Sequence, residues 1–438
     1  MTTEEKIGVK IPEILLPVKG IDLTKWAVIA CDQFTSQPQY WKSVAGLVGD
    51  SPSTFHMILP EIYLEKPDVA EHISRTHIAM RKYLEEGIFR PFTGLIYVER
   101  TIGNVTRHGL MIALDLEAYD FSTGSQTLIR ATEGTILDRL PPRMRIRKEA
   151  PLETPHILVL YDDPDSTVLA PVFDKAPALE VCYDFDLMQG SGHLTGRLIS
   201  DSAIIQQILD ALEQLADPGK FADKYHLPGS YQPLLFAMGD GNHSLATAKA
   251  IWEELKPQVS MHHPARHALV EIENLHDPAL EFEPIHRVLF NLSTDILADL
   301  QTWFGNRMLV TPVSDLKTWV DDIDKVSSMH HHFGLLTGEG PIHIEIKRPD
   351  YNLPVGSLQG FLDEYLKNHP SVRIDYVHGR EILVELGSKP NNAGFYLPAM
   401  PKADLFKTVI LDGALPRKTF SMGEARDKRF YMECRRIR

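Results

Sequence analysis

The segment PLLFAMGDGNHSLATAKAIWEELK, residues 233–256, constrains the fold more than any other stretch of this 438-residue chain. Pro233 to Met238 is a short apolar run of the kind that forms a buried strand, and it breaks at Gly239-Asp240-Gly241. Beyond the break, Leu245, Ala248 and Trp252 recur at helical spacing among strong helix formers. Strand, tight turn and helix must therefore follow one another directly, with Asp-Gly-Asn-His-Ser at the helix start. That corner gathers helix N–H groups that have no intrahelical acceptor, the positive end of the helix dipole and side-chain donors, and so suits a phosphate or a carboxylate. Gly239 and Gly241 permit close backbone approach and unusual φ, Asn242 or Ser244 can cap the helix, and His243 adds a donor or a proton acceptor. Asp240 is placed to hold a metal or to orient a hydroxyl. A capped helix after a glycine turn is the purely structural alternative. The segment is not a P-loop, because GxxxxGK[ST] is absent.

Strands and helices alternate around this corner. Trp26–Ala30 predicts a strand that runs into a loop at Cys31-Asp32, and residues 67–86 predict a helix. GLIYVERTI and RHGLMIALDLEAYD predict a strand pair, HILVLY a further strand, and LEVCYDFDL with HLTGRLI two more around Gly190-Ser191-Gly192. Residues 201–215 predict an amphipathic helix carrying Ile204, Ile205, Ile208, Leu209 and Leu212. Past Asn291 the texture changes to regular helix and strand alternation, which divides the chain into an N-terminal α+β region, 1–290, and a C-terminal α+β region, 291–438. The basic tail of the second region could return to the first. The expected class is α+β with a mixed-sheet core.

Composition narrows the function. Charged residues make up 24% and hydrophobic ones 43%, as in an ordinary globular protein, so disorder is excluded. A net charge of -14 disfavours nucleic-acid and anionic-membrane partners, and no apolar run approaches the ~20 residues of a membrane span. Three widely spaced cysteines suggest neither a disulfide framework nor a cysteine zinc site, so a cytoplasmic protein is expected. The runs His330-His331-His332 and His262-His263 invite a metal, yet consecutive strand residues face opposite ways. Arg143, Arg145 and Arg147 could bind an anionic substrate but read rather as an ion-paired or solvated face.

The order of short motifs resembles the bacterial family called domain of unknown function 1015, whose members carry a strand-DGHHR-helix corner like that of the ParB/sulfiredoxin-like fold. Asp240, Gly241 and His243 match that corner, while Asn242 stands for the first His and Ser244 for the Arg. VIACDQ at Asp32, ATEGTILDR with Glu133, Asp138 and Arg139, EPIHR at His286 and Arg287, and LPRKTF at Lys418 resemble further family segments in the same order. Position 131 is Ala where the family often has His.

The resemblance implies phosphate handling. Related proteins include nucleotide-dependent free-serine kinases, CTP-binding partition proteins and sulfinic-acid reductases. The corner has no cysteine, which removes the last, and the net charge weighs against the second. What remains is a small-molecule phosphotransferase that uses Mg2+ and a nucleotide, ATP or ADP, with an amino acid such as serine as acceptor. In that reading Asp32 or Glu133 is the base and Asp240 the metal ligand. Gly241, Asn242, His243 and Ser244 cradle phosphate, and Arg139, His286, Arg287 and Lys418 bind the anion. With the corner Arg missing, Lys249, Arg287 or Lys418 would supply the positive charge. The alternative is a non-catalytic nucleotide- or metabolite-sensing module with a protein partner, and a homo-oligomer is compatible with either.

Overall fold

The computed structural model describes residues 1–227, 231–325 and 329–438, and of Arg139 the backbone alone. The chain forms two compact units, Met1–Leu280 with Gly423–Arg438, and Glu281–Met422. The division thus falls at Glu281 and not at Asn291, and the last sixteen residues, 423–438, belong to the first unit. The reason is pairing: strand Phe282–Phe290 lies against Arg373–His378 and Asn392–Tyr396, all in the second unit.

The first unit is built on a ten-stranded mixed sheet. Its longer strands are β1 (Leu95–Ile102), β2 (Val105–Asp115), β3 (Leu158–Tyr161), β4 (Val181–Asp186), β5 (His193–Ile199), β6 (Phe236–Asp240) and β7 (His267–Asn274). They run in the order β4-β5-β1-β2-β7-β3-β6, followed by the short strands Ile129–Arg130 and Tyr119–Asp120, and Val9–Lys10 pairs with β2. β3 is parallel to β7 and antiparallel to β6, while β6 is parallel to Ile129–Arg130. The chain is therefore α+β with a large mixed sheet.

Alternation along the strands creates two cores. Leu95, Tyr97, Leu110, Ile112, Val270 and Ile272 point to one face and meet Ile204, Ile208, Leu209 and Leu212 of helix Ser202–Leu215, together with Leu245, Ala248 and Trp252 of the corner helix Asn242–Leu255. Ile96, Val98, Met111 and Leu269 point to the other face. That face is covered by the N-terminal segment around Trp26–Ile29 and by Phe430–Cys434 of the tail, whose Phe430–Tyr431 pairs with Val28–Ile29.

The second unit is a seven-stranded sheet. The three neighbouring histidines on its strand His330–Thr337 have separate partners: His330 pairs with Glu345 at 2.7 Å, His331 Nδ1 meets Ser357 Oγ at 2.8 Å and His332 Nδ1 meets His343 Nε2 at 3.0 Å. Among the described residues no group of three metal-ligating side chains occurs, and no helix is long and apolar enough to cross a membrane.

Candidate functional site

The end of β6 turns directly into the corner helix through Gly241, whose φ of +81° is the left-handed conformation that an L side chain resists. A Cβ at Gly241 would also lie 3.2 Å from the Ile157 backbone, just before the neighbouring strand β3. Asp240 Oδ1 accepts the Gly241 N–H at 2.9 Å. The capping expectation is corrected here: Gly241 itself occupies the cap without a side-chain hydrogen bond, and Asn242 and Ser244 lie inside the first turn. Freed from capping, Ser244 Oγ reaches His156 Nε2 at 3.2 Å. Asn242 Oδ1 is buried with no hydrogen-bond partner among the described residues.

His156 organises the surroundings. It precedes β3, its side chain is only 8% exposed, and its Nδ1 meets the Tyr431 hydroxyl at 2.9 Å. The same hydroxyl accepts the Cys31 N–H at 3.1 Å, and the next residue brings Asp32 Oδ2 within 4.0 Å of His156 Nε2. Asp32 Oδ1 accepts from Gln33 Nε2 at 3.0 Å. The Cys31 carbonyl accepts the Glu61 N–H at 2.8 Å, and Glu61 is ion-paired with Arg143. Burial pushes the Glu61 carboxyl up, against the pull of Arg143. Burial, reinforced by Asp32, pushes the Cys31 thiol far above its usual range, so it is no thiolate nucleophile.

Lys428 brings a cation to the corner, its Nζ 3.4 Å from Asp240 Oδ2. Lys249 is engaged elsewhere, with the Leu116 carbonyl at 2.9 Å and Glu253 at 2.6 Å. Arg287 and Lys418 belong to the second unit. There Arg287 is fully buried, donating to the Ile285 carbonyl and to the Arg417 carbonyl at 3.0 Å, with Tyr376 beneath its guanidinium. His286 accepts the Leu397 N–H at 3.2 Å and stacks on Tyr396, and burial lowers its pKa to about 4. Lys418 is exposed at a left-handed φ of 57°.

Of the predicted residues, then, Asp32, Asp240, Gly241, Asn242, His243 and Ser244 meet around one strand end. Glu133 follows Thr132, whose hydroxyl bonds the Met238 carbonyl of β6 at 2.8 Å, so its backbone runs beside the corner. Arg139 lies in the short turn Leu137–Arg139, and its side chain is outside the described residues. Sequence reasoning missed His156, Tyr431 and Lys428. The one local signal was a histidine opening the HILVLY strand, since Tyr431 and Lys428 arrive from the far end of the chain.

The family model for "Protein of unknown function (DUF1015)" matches residues 15–365. The chain belongs to this DUF1015 family. No curated protein matches it. Among solved structures, a free serine kinase variant in complex with AMP is similar at 9% identity and TM-score 0.37, over 71% of this chain and 86% of that one. A conserved hypothetical protein from Pyrococcus furiosus is similar at 10% identity and TM-score 0.34, over 74% and 90%. SbnI from Staphylococcus aureus, truncated at its C-terminus, is similar at 8% identity and TM-score 0.34, over 71% and 81%. Scores this low carry no functional weight, and the corner must be judged by its own geometry.

Proposed function

We propose that this DUF1015 protein binds a phosphate-bearing ligand at the Asp240–Ser244 corner and acts as a nucleotide-dependent kinase of a small hydroxyl compound, with a serine-like amino acid as the leading acceptor. The observation that carries the reading is the meeting at one helix N-terminus of two carboxylates with different partners. Asp240 faces Lys428, and Asp32 faces His156. The corner helix begins at Asn242, directly after this turn, and the positive end of its dipole favours an anion there, while the Ser244 and Leu245 N–H groups are taken by the Gly241 carbonyl. The ParB/sulfiredoxin-like likeness of the DGNH turn supports the same ligand chemistry.

Mg2+ fits this donor set in its usual manner, with one or two protein carboxylates and the rest of its shell from phosphates and water. Asp240 would hold it, and the ion would neutralise phosphate charge. Lys428 is placed to take over charge on the phosphate oxygens, in the part an arginine plays in the family corner. In the transfer step the acceptor oxygen forms a bond to the terminal phosphorus, and the bond from that phosphorus to the bridging oxygen breaks. The bridging oxygen leaves with the electron pair, and Asp32 takes the acceptor proton. Glu133 is the second candidate for that proton.

The test is 31P NMR of the protein with ATP or ADP, Mg2+ and a panel of hydroxyl amino acids, serine first. The expected result is a new phosphomonoester signal whose rate of appearance falls about 100-fold or more in Asp32→Asn, with nucleotide binding retained. No phosphomonoester with any acceptor refutes the kinase, and nucleotide binding without turnover would instead favour the sensing module.

A further inference from the structure

Tyr431, His156 and Ser244 form a hydrogen-bonded series that starts in the buried tail and ends at the corner. Its polarity is set at the buried end. The Tyr431 ring is 2% exposed, and its oxygen already accepts the Cys31 N–H at 3.1 Å. Burial holds the phenol well above its usual range, so the O–H keeps its proton and must place it. One neighbour is the Cys31 sulfur, a weak acceptor that burial keeps as a thiol. The other is His156 Nδ1 at 2.9 Å, a full-strength acceptor in the neutral ring.

We propose that Tyr431 donates to His156 Nδ1 and so fixes the imidazole as its Nε2–H tautomer, which turns Ser244 into a hydrogen-bond donor for an anionic ligand. With its proton on Nε2, His156 donates to Ser244 Oγ at 3.2 Å. The serine hydroxyl then has its own proton free to point away from the ring. The opposite tautomer would make Ser244 donate to His156 and present only lone pairs to the ligand, which repel phosphate. Nε2–H also faces Asp32 Oδ2 at 4.0 Å, so the same tautomer keeps a donor beside the carboxylate. Tyr431 and His156 are thus positioning residues, and the ligand class this fixes is a fully ionised oxyanion. The inference rests on the phosphate reading of the corner for its ligand and on the hydrogen-bond series alone for its tautomer.

The experiment uses the full chain labelled with 13C and 15N in histidine, at pH 8, with His156 assigned by the signal lost in His156→Gln. Imidazole nitrogen shifts report the tautomer, and calorimetry with inorganic pyrophosphate reports the anion. The expected spectrum is Nε2–H in the wild type and a mixture of tautomers in Tyr431→Phe. Pyrophosphate binding should weaken roughly tenfold in Ser244→Ala and less in Tyr431→Phe, and Ser244→Thr, which keeps the hydroxyl, should restore part of it. An Nδ1–H spectrum in the wild type, or an unchanged tautomer in Tyr431→Phe, overturns the proposal. An Nε2–H spectrum without pyrophosphate binding leaves the tautomer standing and overturns the phosphate reading instead.

Discussion

Among the described residues the buried ion pairs lie in the first unit, beside buried histidines and an arginine, Arg130, held by carbonyls, whereas the second unit buries neutral rings and a carbonyl-held arginine without such pairs. Glu153 lies between Arg435 at 2.6 Å and Arg147 and accepts the Leu269 N–H at 2.8 Å. Arg429 of the tail reaches Glu271 at 3.0 Å and Glu433 at 2.7 Å; Arg107 lies 2.8 Å from Glu273, whose carboxyl burial favours in its protonated form. In the second unit His286 and His331 are buried neutral, and Arg287 is held by main-chain oxygens. Buried ions fix geometry because each demands its partners. That matters where the tail must bring Lys428 and Tyr431 to the corner from opposite sides of Arg429. The second unit holds its shape by packing.

The largest effect should follow from removing one partner of a buried ionic cluster. Glu153→Ala removes the only carboxylate the described residues show against Arg435 and Arg147, and the acceptor of the Leu269 N–H, and should cost about 3–5 kcal/mol in urea unfolding. A loss below about 1 kcal/mol would mean that the ions do not hold the tail.

Glycines that make room sharpen the contrast. A Cβ at Gly334 in the second unit would lie 2.2 Å from the Trp319 ring, and one at Gly109 in the first would lie 2.1 Å from the Glu271 carboxylate. The indole is wedged in a core, and the Glu271 side chain is buried, held by Arg429 at 3.0 Å and meets the added Cβ with its Cγ as well, at 2.7 Å. Gly334→Ala should therefore cost about 2–3 kcal/mol, and Gly109→Ala, which displaces an ion-paired carboxylate, about 3–5 kcal/mol. The reverse order in thermal unfolding would break the comparison.

The smallest effects are in pH dependence. Burial, together with Glu271 and Asp277, pushes the Glu273 carboxyl up to about 8 against the pull of Arg107, from an ordinary 4.5. The folded chain then holds this proton more tightly than the unfolded one. Its contribution is complete below about pH 4.5 and is lost as pH rises through about 8. Glu273→Gln should flatten that decline by on the order of 1 kcal/mol in urea unfolding between pH 5 and 8, and an unchanged slope would contradict it. Burial lowers His286 and His331 to about 4 from 6.5, so their contribution is present above pH 6.5 and lost as pH falls toward 4. His267 in the first unit, also at about 4, behaves alike. Acid therefore weakens both units through these histidines, and the decline that Glu273 adds toward pH 8 belongs to the first.

Much of the fold was legible locally. The strand, Gly241 turn and helix followed from residues adjacent in sequence, as did helix Ser202–Leu215 with its apolar face and the alternating strands β1 and β2. What pairs across the chain was not. The ten residues 281–290 read as part of the first region because nothing in EPIHRVLF announces its partners Arg373–His378 and Asn392–Tyr396. His156 looked like the start of an apolar strand, and Lys428 and Tyr431 like a basic tail. Their roles depend on contacts spanning up to 400 residues, such as Cys31 to Tyr431. The helix cap was misread because Asn242 and Ser244 are good capping residues by type, and only the left-handed Gly241 shows that the turn is made without them.

The most direct test of the phosphate corner is thermal unfolding of the whole chain against ATP, ADP, CTP, pyrophosphate and phosphoserine, each with and without Mg2+, beside Asp240→Ala and Ser244→Ala. A ligand present at 100 times its Kd adds about 2.7 kcal/mol, which raises the transition by several degrees. A phosphate-binding corner predicts such a rise for at least one nucleotide and its loss in Asp240→Ala. No rise with any phosphate compound, or a rise that both variants keep, would contradict it.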